Sequence, residues 1–384
     1  MKFMVMLVAV VGLLASAPPD RGVVQIARGS GPMLTNKASF DGRRLLLAGW
    51  DLPVATLWDV ETGRQIREFA GHTEGVRSVA LSPDGSQVLT GAGSTASVLQ
   101  STDNSVRLWD ADSGKELRRF DGMSYPAWST PVWQVGFSED GRQVAGRGGD
   151  RGLAIWDVAT GRLMFQEPTG DSRSPHGFLR GTRAMTFVPS RSVSVWDYRS
   201  GERLSAINVA QVWSSGLSPD GSLIVTTSGQ EIALWSSSTG LRVRTYSGHK
   251  GLALDAAFSP DGRRLFSASG DGSVRVWESS SDQLLHELPH EGAVDRVLVS
   301  SDGTRVLTQW TGRVVGVSTQ FSSLWDVTGN RELVRLDQSQ VMVGFSPDGG
   351  TIPVVEGRSF GTRCCVLDSL LDAETGRVIR RYRP

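Results

Sequence analysis

An all-β fold assembled from repeated units is what this chain predicts, and three observations predict it. First, a Trp-Asp pair recurs at intervals of roughly 40 to 50 residues, a period that marks a repeat architecture. It is intact at Trp58-Asp59, Trp109-Asp110, Trp156-Asp157, Trp196-Asp197 and Trp325-Asp326. The acid is changed at Trp235-Ser236 and Trp277-Glu278, and at Leu371-Asp372 the Trp is lost. Second, a Ser-Pro-Asp-Gly turn or a weaker copy of it precedes most of the pairs. Third, the runs between turns are short and β-branched or alternating, which is the pattern of strands. Each unit reads as four strands, and eight units fit the chain. A degenerate first or last unit would leave seven.

The unit at 248–288 is the cleanest. It opens with Gly248-His249 and runs through Ala256-Ala257-Phe258 to the turn Ser259-Pro260-Asp261-Gly262. A second strand, 264–268, leads to Gly270-Asp271-Gly272; a third ends at Trp277, and 284–288 is the fourth. Pro presets φ for the turn, Asp bonds the neighbouring backbone, and Gly takes the left-handed position. The turn recurs at Ser82-Pro83-Asp84-Gly85, Ser218-Pro219-Asp220-Gly221 and Ser346-Pro347-Asp348-Gly349. Weaker copies are Phe40-Asp41-Gly42, Ser138-Glu139-Asp140-Gly141 and Ser301-Asp302-Gly303. A second turn follows the Trp-Asp position, as in Glu61-Thr62-Gly63 and Asp112-Ser113-Gly114. Unit four looks truncated, but Arg180-Gly181-Thr182-Arg183 can serve as its turn, so it keeps four strands.

Gly-His, Ser-Pro-Asp-Gly and Trp-Asp recurring in this order resemble the WD-repeat family over about residues 30–382. The resemblance implies a β-propeller, with four-stranded blades packed face to face around a channel and only short protected edges. Eight blades are expected. The resemblance also implies ring closure: the final strand, 378–382, must pair near the N-terminus, and residues 23–27 are a spare strand-like segment placed beside it.

His249, Ser267, Asp271 and Trp277 share one unit, and a Ser, a His and an Asp together invite a hydrolase reading. The second unit repeats the set as His72, Thr90, Asp103 and Trp109. A catalytic triad is needed once, whereas a scaffold bond recurs. In the resembled family these four side chains form a buried hydrogen-bonded chain, satisfying groups that would each cost about 1–3 kcal/mol unpaired. Unit three keeps Asp150 but lacks Gly-His, and such blades are expected to rely on packing alone. His290 and His176 also open units.

Length alone suggests two or three domains, but stacked units share one continuous core. The formal net charge is zero with no basic stripe, so nucleic acid is not an expected partner. Cys364 and Cys365 are adjacent and form no disulfide framework. No metal-ligand spacing, phosphate loop or nucleophile elbow appears, so no metal and no catalytic residue are assigned. Ala373-Glu374-Thr375-Gly376 faintly matches the blade-docking motif of quinone-dependent dehydrogenases. The Trp that motif requires is Arg380 here, and Arg67, Arg118 and Arg244 elsewhere. No cofactor is therefore expected.

Lys2, the apolar run 3–14 and Ala15-Ser16-Ala17 form an export-signal pattern, although Pro18 is unfavourable directly after a cut. Residues 1–21 are read as signal-peptide-like and 22–384 as one WD-repeat propeller domain. The expected location is periplasmic or extracellular. An uncleaved anchor or a mis-assigned start, which would leave the chain cytoplasmic, is the alternative.

Both turns of each unit lie on one rim and stay short. Length variation falls on the other rim, at 94–102, 121–131, 168–174, 310–320 and 357–363. Loops on a rigid scaffold usually carry function. Five residues before the Ser of the turn stand Arg77, Trp133 and Trp213, and Asp295 occupies the matching place in unit seven. In the resembled family this position opens onto the channel mouth. Trp128 and Trp310 fall in predicted rim loops. These six residues are the candidate partner-binding set, for Trp133 and Trp213 against the alternative of filling space between blades. The expected function is a non-enzymatic scaffold for a protein or peptide. The rival readings are a cell-envelope enzyme using the channel mouth and a regulatory module of a separate signalling enzyme.

Overall fold

The computed structural model describes residues 38–48, 52–93, 103–120, 131–148, 152–167, 178–180, 183–188, 192–314, 317–337, 339–356 and 366–382. The export-like segment, residues 23–27, Trp128, Asp150, His176, the cysteine pair and most of the rim insertions lie outside them. The described residues form eight antiparallel four-stranded sheets and no helix. Every blade uses four consecutive strands. The blades span 38–70, 76–120, 132–166, 178–207, 212–246, 253–289, 293–337 and 340–381. First strands of neighbouring blades approach one another at the centre, while fourth strands such as Gln65–Ala70 face solvent.

The turns follow from the sequence. In Ser82-Pro83-Asp84-Gly85 the Ser82 hydroxyl donates to Asp84 at 2.6 Å and accepts the Gln87 N–H at 2.9 Å. Gly85 sits at φ +70°, where a Cβ would be strained. The acid of Trp-Asp caps its own turn: Asp59 accepts both the N–H and the hydroxyl of Thr62 at 2.7 Å. The hydroxyl bond holds its carboxyl below the usual range.

The core is eight apolar clusters, one at each boundary between blades. In each repeat that keeps its Trp the indole packs backwards onto the preceding blade, for example Trp109 onto blade one, Trp156 onto blade two and Trp277 onto blade five. An apolar side chain of the previous outer strand meets it, as Phe69 meets Trp109 at 6.0 Å and Tyr246 meets Trp277 at 5.6 Å. Leu371, in the copy that lost its Trp, takes the same place against blade seven.

Among the described residues the last strand, Val378–Arg381, pairs within its own blade, and the segment 23–27 expected beside it lies outside them. Side chains join blade eight to blade one: Val343, Val355 and Leu367 pack on Ala38, Leu45 and Leu47. The Tyr382 hydroxyl donates to the Val60 carbonyl of blade one. This is a general staple, since Tyr246 reaches Ser279 O at 2.8 Å and Arg118 reaches Ala159 O at 2.9 Å. Arg67 and Arg118, which depart from the quinone-enzyme motif, thus grip the Trp-Asp turn of the following blade.

Candidate functional site

The two Ser/Thr-His-Asp-Trp sets assemble. In blade six, His249 Nδ1 lies 3.0 Å from Asp271, its Nε2 lies 2.8 Å from Ser267, and the Trp277 indole N–H donates to Ser267 at 2.9 Å. In blade two the matching distances are 2.9 Å to Asp103, 2.7 Å to Thr90 and 2.8 Å from Trp109. A carboxylate only accepts, so Nδ1 carries the proton, Nε2 accepts from the hydroxyl, and the hydroxyl accepts from the indole. Burial pushes His249 below its ordinary value and keeps it neutral. Asp271 is held well below the carboxylate range, against the opposing effect of burial, by bonds from Ser273, the Lys250 N–H and His249. Ser267 is 0% exposed, so no substrate reaches its oxygen. Among the described residues no three His, Cys, Asp or Glu side chains are placed to hold a metal.

Blades without the full set do not rely on packing alone. Trp235 donates to Thr226 at 2.8 Å and Trp58 to Thr56 at 2.9 Å. A hydroxyl near the indole suffices where the His is missing.

The candidate rim residues share a device that sequence spacing only hinted at. In five blades the pairing of first and second strands skips one residue: Arg77, Trp133, Trp213, Leu254 and Asp295. Each is the extra residue of a β-bulge, which leaves the ladder and re-aims its side chain. Leu254 was missed by the sequence reading, although it stands five residues before Ser259 like the others.

The bulged residues are not equivalent. Trp133 and Trp213 are 41% and 48% exposed, and no other described tryptophan is classed as exposed. Arg77 is buried, its Nε donating to Gly93 O at 2.8 Å. Asp295 is half-buried and accepts from the Thr311 hydroxyl at 3.1 Å; burial pushes its carboxyl up.

Trp310 requires correction. It lies in no loop. Strands Arg305–Val314 and Val317–Asp326 run on as a long ribbon, pairing out to Val314 opposite Val317. Trp310 is 1% exposed, stacks on its cross-strand partner Phe321 at 4.3 Å, and donates to Ser323 at 2.9 Å. The stretch is rich in Thr, Val and aromatic residues, which favour the pleated state over an irregular loop. A side chain so enclosed offers a partner nothing.

The family description "WD domain, G-beta repeat" matches residues 63–110 and 240–278. These stretches end at Trp109-Asp110 and Trp277-Glu278, in the two blades with complete hydrogen-bond sets. Protein tipD of Dictyostelium discoideum is 26% identical over 290 residues, covering 69% of this chain and 45% of that protein. The serine-threonine kinase receptor-associated protein of the same organism is 26% identical over 63% of this chain and 79% of its own length. Nuclear distribution protein PAC1 of Arthroderma benhamiae is 28% identical over 59% of this chain and 45% of its own. This chain thus spans under half of tipD and of PAC1. The crystal structure of the computationally designed Ika8 protein superposes with a TM-score of 0.67 at 19% identity, over 90% of this chain and all of that one, which bears on the fold alone. With its repeated motif, its eight four-stranded blades and these relatives, the chain belongs to the WD-repeat family.

Proposed function

We propose that this propeller is a non-enzymatic scaffold that holds a protein or peptide segment across the loop-rim mouth, anchored by Trp133 and Trp213. One observation carries the reading. Of the described tryptophans, the two classed as exposed are the two on bulges, where the ladder aims them out of the sheet. Tryptophan is among the residue types that dominate interface energies. The ring fixes both indoles in advance, so little ordering entropy is lost on association. Asp295 and Arg77 act less directly, the first by tying the blade-seven ribbon to the mouth and the second by bracing its own strand end. The name of the receptor-associated relative supports a protein partner. The buried and repeated Ser/Thr-His-Asp sets support a scaffold rather than a hydrolase. Trp133→Ala plus Trp213→Ala is expected to deplete the captured proteins at least tenfold by quantitative mass spectrometry. Undiminished capture removes the mouth from consideration.

The export-like start supports a location outside the cytoplasm. A secreted form whose N-terminus begins at Pro18 is the expected product on N-terminal sequencing, and an intact Met1 in the cytoplasmic fraction would exclude it.

A further inference from the structure

The residue that follows each bulge is buried and polar: Ser78, Gln134, Ser214, Asp255 and Arg296. Two of them bridge to the next blade in the same way. The Ser78 hydroxyl of blade two accepts the Val135 N–H of blade three at 3.0 Å, and the Asp255 carboxylate of blade six accepts the Val297 N–H of blade seven at 3.2 Å. Val135 and Val297 each stand two residues after their own bulge, Trp133 or Asp295. One hydroxyl therefore satisfies this N–H, and a serine in place of Asp255 would serve as Ser78 does. Burying a carboxylate costs more than burying a hydroxyl, so Asp255 must do something that a serine would not.

Its second oxygen supplies the answer. Oδ1 accepts the Ser214 hydroxyl of blade five at 3.0 Å and the Ala256 N–H of its own strand at 2.7 Å. Ser214 directly follows the bulged Trp213, and Asp255 directly follows the bulged Leu254. One side chain thus ties three consecutive bulges together, Trp213, Leu254 and Asp295. A serine has a single oxygen on a shorter side chain, enough for one neighbour and not for both. Trp213 is also fixed from its other side. Gln211 is exposed at φ +56°, and Ser228 of the second strand donates to the Ala210 carbonyl at 2.5 Å. The other described non-glycine residue in the left-handed region is Asn330, a type that tolerates it better than Gln. Such conformations persist where the surroundings over-determine them.

We infer that Asp255 is a positioning residue of the mouth. It sets the direction of Trp213 by holding Ser214 against blade six, and it locks blades five, six and seven into one arc that carries an indole, a leucine and a carboxyl group. Trp133 lies outside this arc, on a strand held by Ser78. The role rests on the mouth being the docking surface. A preset indole loses less entropy on association, so loosening it lowers affinity without removing a contact group.

Fluorine NMR of the full chain labelled with fluorotryptophan tests the role, with the two indole resonances identified by Trp133→Phe and Trp213→Phe. Asp255→Ala should shift or broaden the Trp213 resonance beyond its wild-type linewidth and leave that of Trp133 in place. Ser78→Ala should do the reverse. Asp255→Ser should keep the Val297 amide slow in hydrogen exchange, because one oxygen still serves it, and should move Trp213 as Asp255→Ala does. Should Asp255→Ala fail to fold, Asp255→Ser still decides, since Ser78 shows that a serine is accommodated at the matching place. A Trp213 resonance unmoved in the folded Asp255 variants, or Trp133 and Trp213 displaced together, would overturn the role and leave Asp255 a general brace of the ring. Undiminished capture by Trp133→Ala plus Trp213→Ala would instead remove the docking surface while the resonance shifts stand, so the two failures are told apart.

Discussion

Blades six and seven are neighbours built to one plan, yet they handle the same buried groups differently. Both place a His at the blade entrance with Nε2 2.8 Å from a second-strand hydroxyl, Ser267 or Thr308. Blade six then has Asp271 for Nδ1. Blade seven has Thr319 at the matching distance before its Trp, and His290 turns Nδ1 to the Leu288 carbonyl at 3.0 Å. The consequence reaches the indole. Trp277 N–H has an acceptor, whereas Trp325 Nε1 is buried without one among the described residues. The strand extension supplies a second indole, Trp310, which takes Ser323, and Arg335 lies over that ring at 5.0 Å. One missing acid therefore changes a polar relay into an aromatic cluster, and the blade still closes.

The largest expected effect tests whether the second indole compensates. Trp277→Ala should cost about 3–5 kcal/mol, because it removes a buried indole and the donor to the Ser267 hydroxyl together. Trp325→Ala should cost about 1 kcal/mol less, since its N–H has no acceptor among the described residues to lose and a second indole, Trp310, shares its cluster. Thermal unfolding of the two variants side by side measures this; equal losses would break the comparison.

Acid should separate the blades next. Burial pushes His290 down to about 4, with the Leu288 carbonyl and Glu332 opposing and Arg335 adding to the shift. A histidine depressed in the folded state contributes stability that is present above its unfolded value near 6.5. That stability is lost as pH falls through the folded value. Between pH 8 and pH 5 the loss attributable to His290 is about 2 kcal/mol. His290→Leu should therefore be less acid-sensitive than wild type in urea unfolding at the two pH values, although less stable at pH 8. Parallel losses in both proteins would show that His290 does not titrate in this window.

Much of this architecture is legible in the sequence because its determinants are local. A Pro, an Asp and a Gly fix a turn within four residues, and a Trp every 40 to 50 residues or so fixes which face packs. Three features were not legible, for three reasons. The joining of blades eight and one includes a contact between Tyr382 and Val60, far apart in the chain, and spacing does not reveal such a side-chain staple. The bulges are visible as a constant offset from the turn Ser, but an offset does not say that the ladder skips a residue. Trp310 was misplaced because an insertion reads as a loop by default, although its Thr and Val content favoured a longer strand.

The smallest effect is the sharpest test of the polar difference. Trp→Phe keeps most of the buried ring and removes the indole N–H. In blade six that deletes the donor to Ser267 and leaves its oxygen short of one partner in a site with no water access, a loss of about 1–2 kcal/mol beyond the change in volume. In blade seven the Trp325 N–H has no acceptor among the described residues, so its removal also relieves a buried unpaired donor. Trp277→Phe should thus be more destabilising than Trp325→Phe by about 1–2 kcal/mol, and adding Ser267→Ala to Trp277→Phe should cost little more, because the two share one bond. If the two single variants unfold at the same denaturant concentration, the relay in blade six contributes no more than packing does, and the distinction between the blades is one of shape alone.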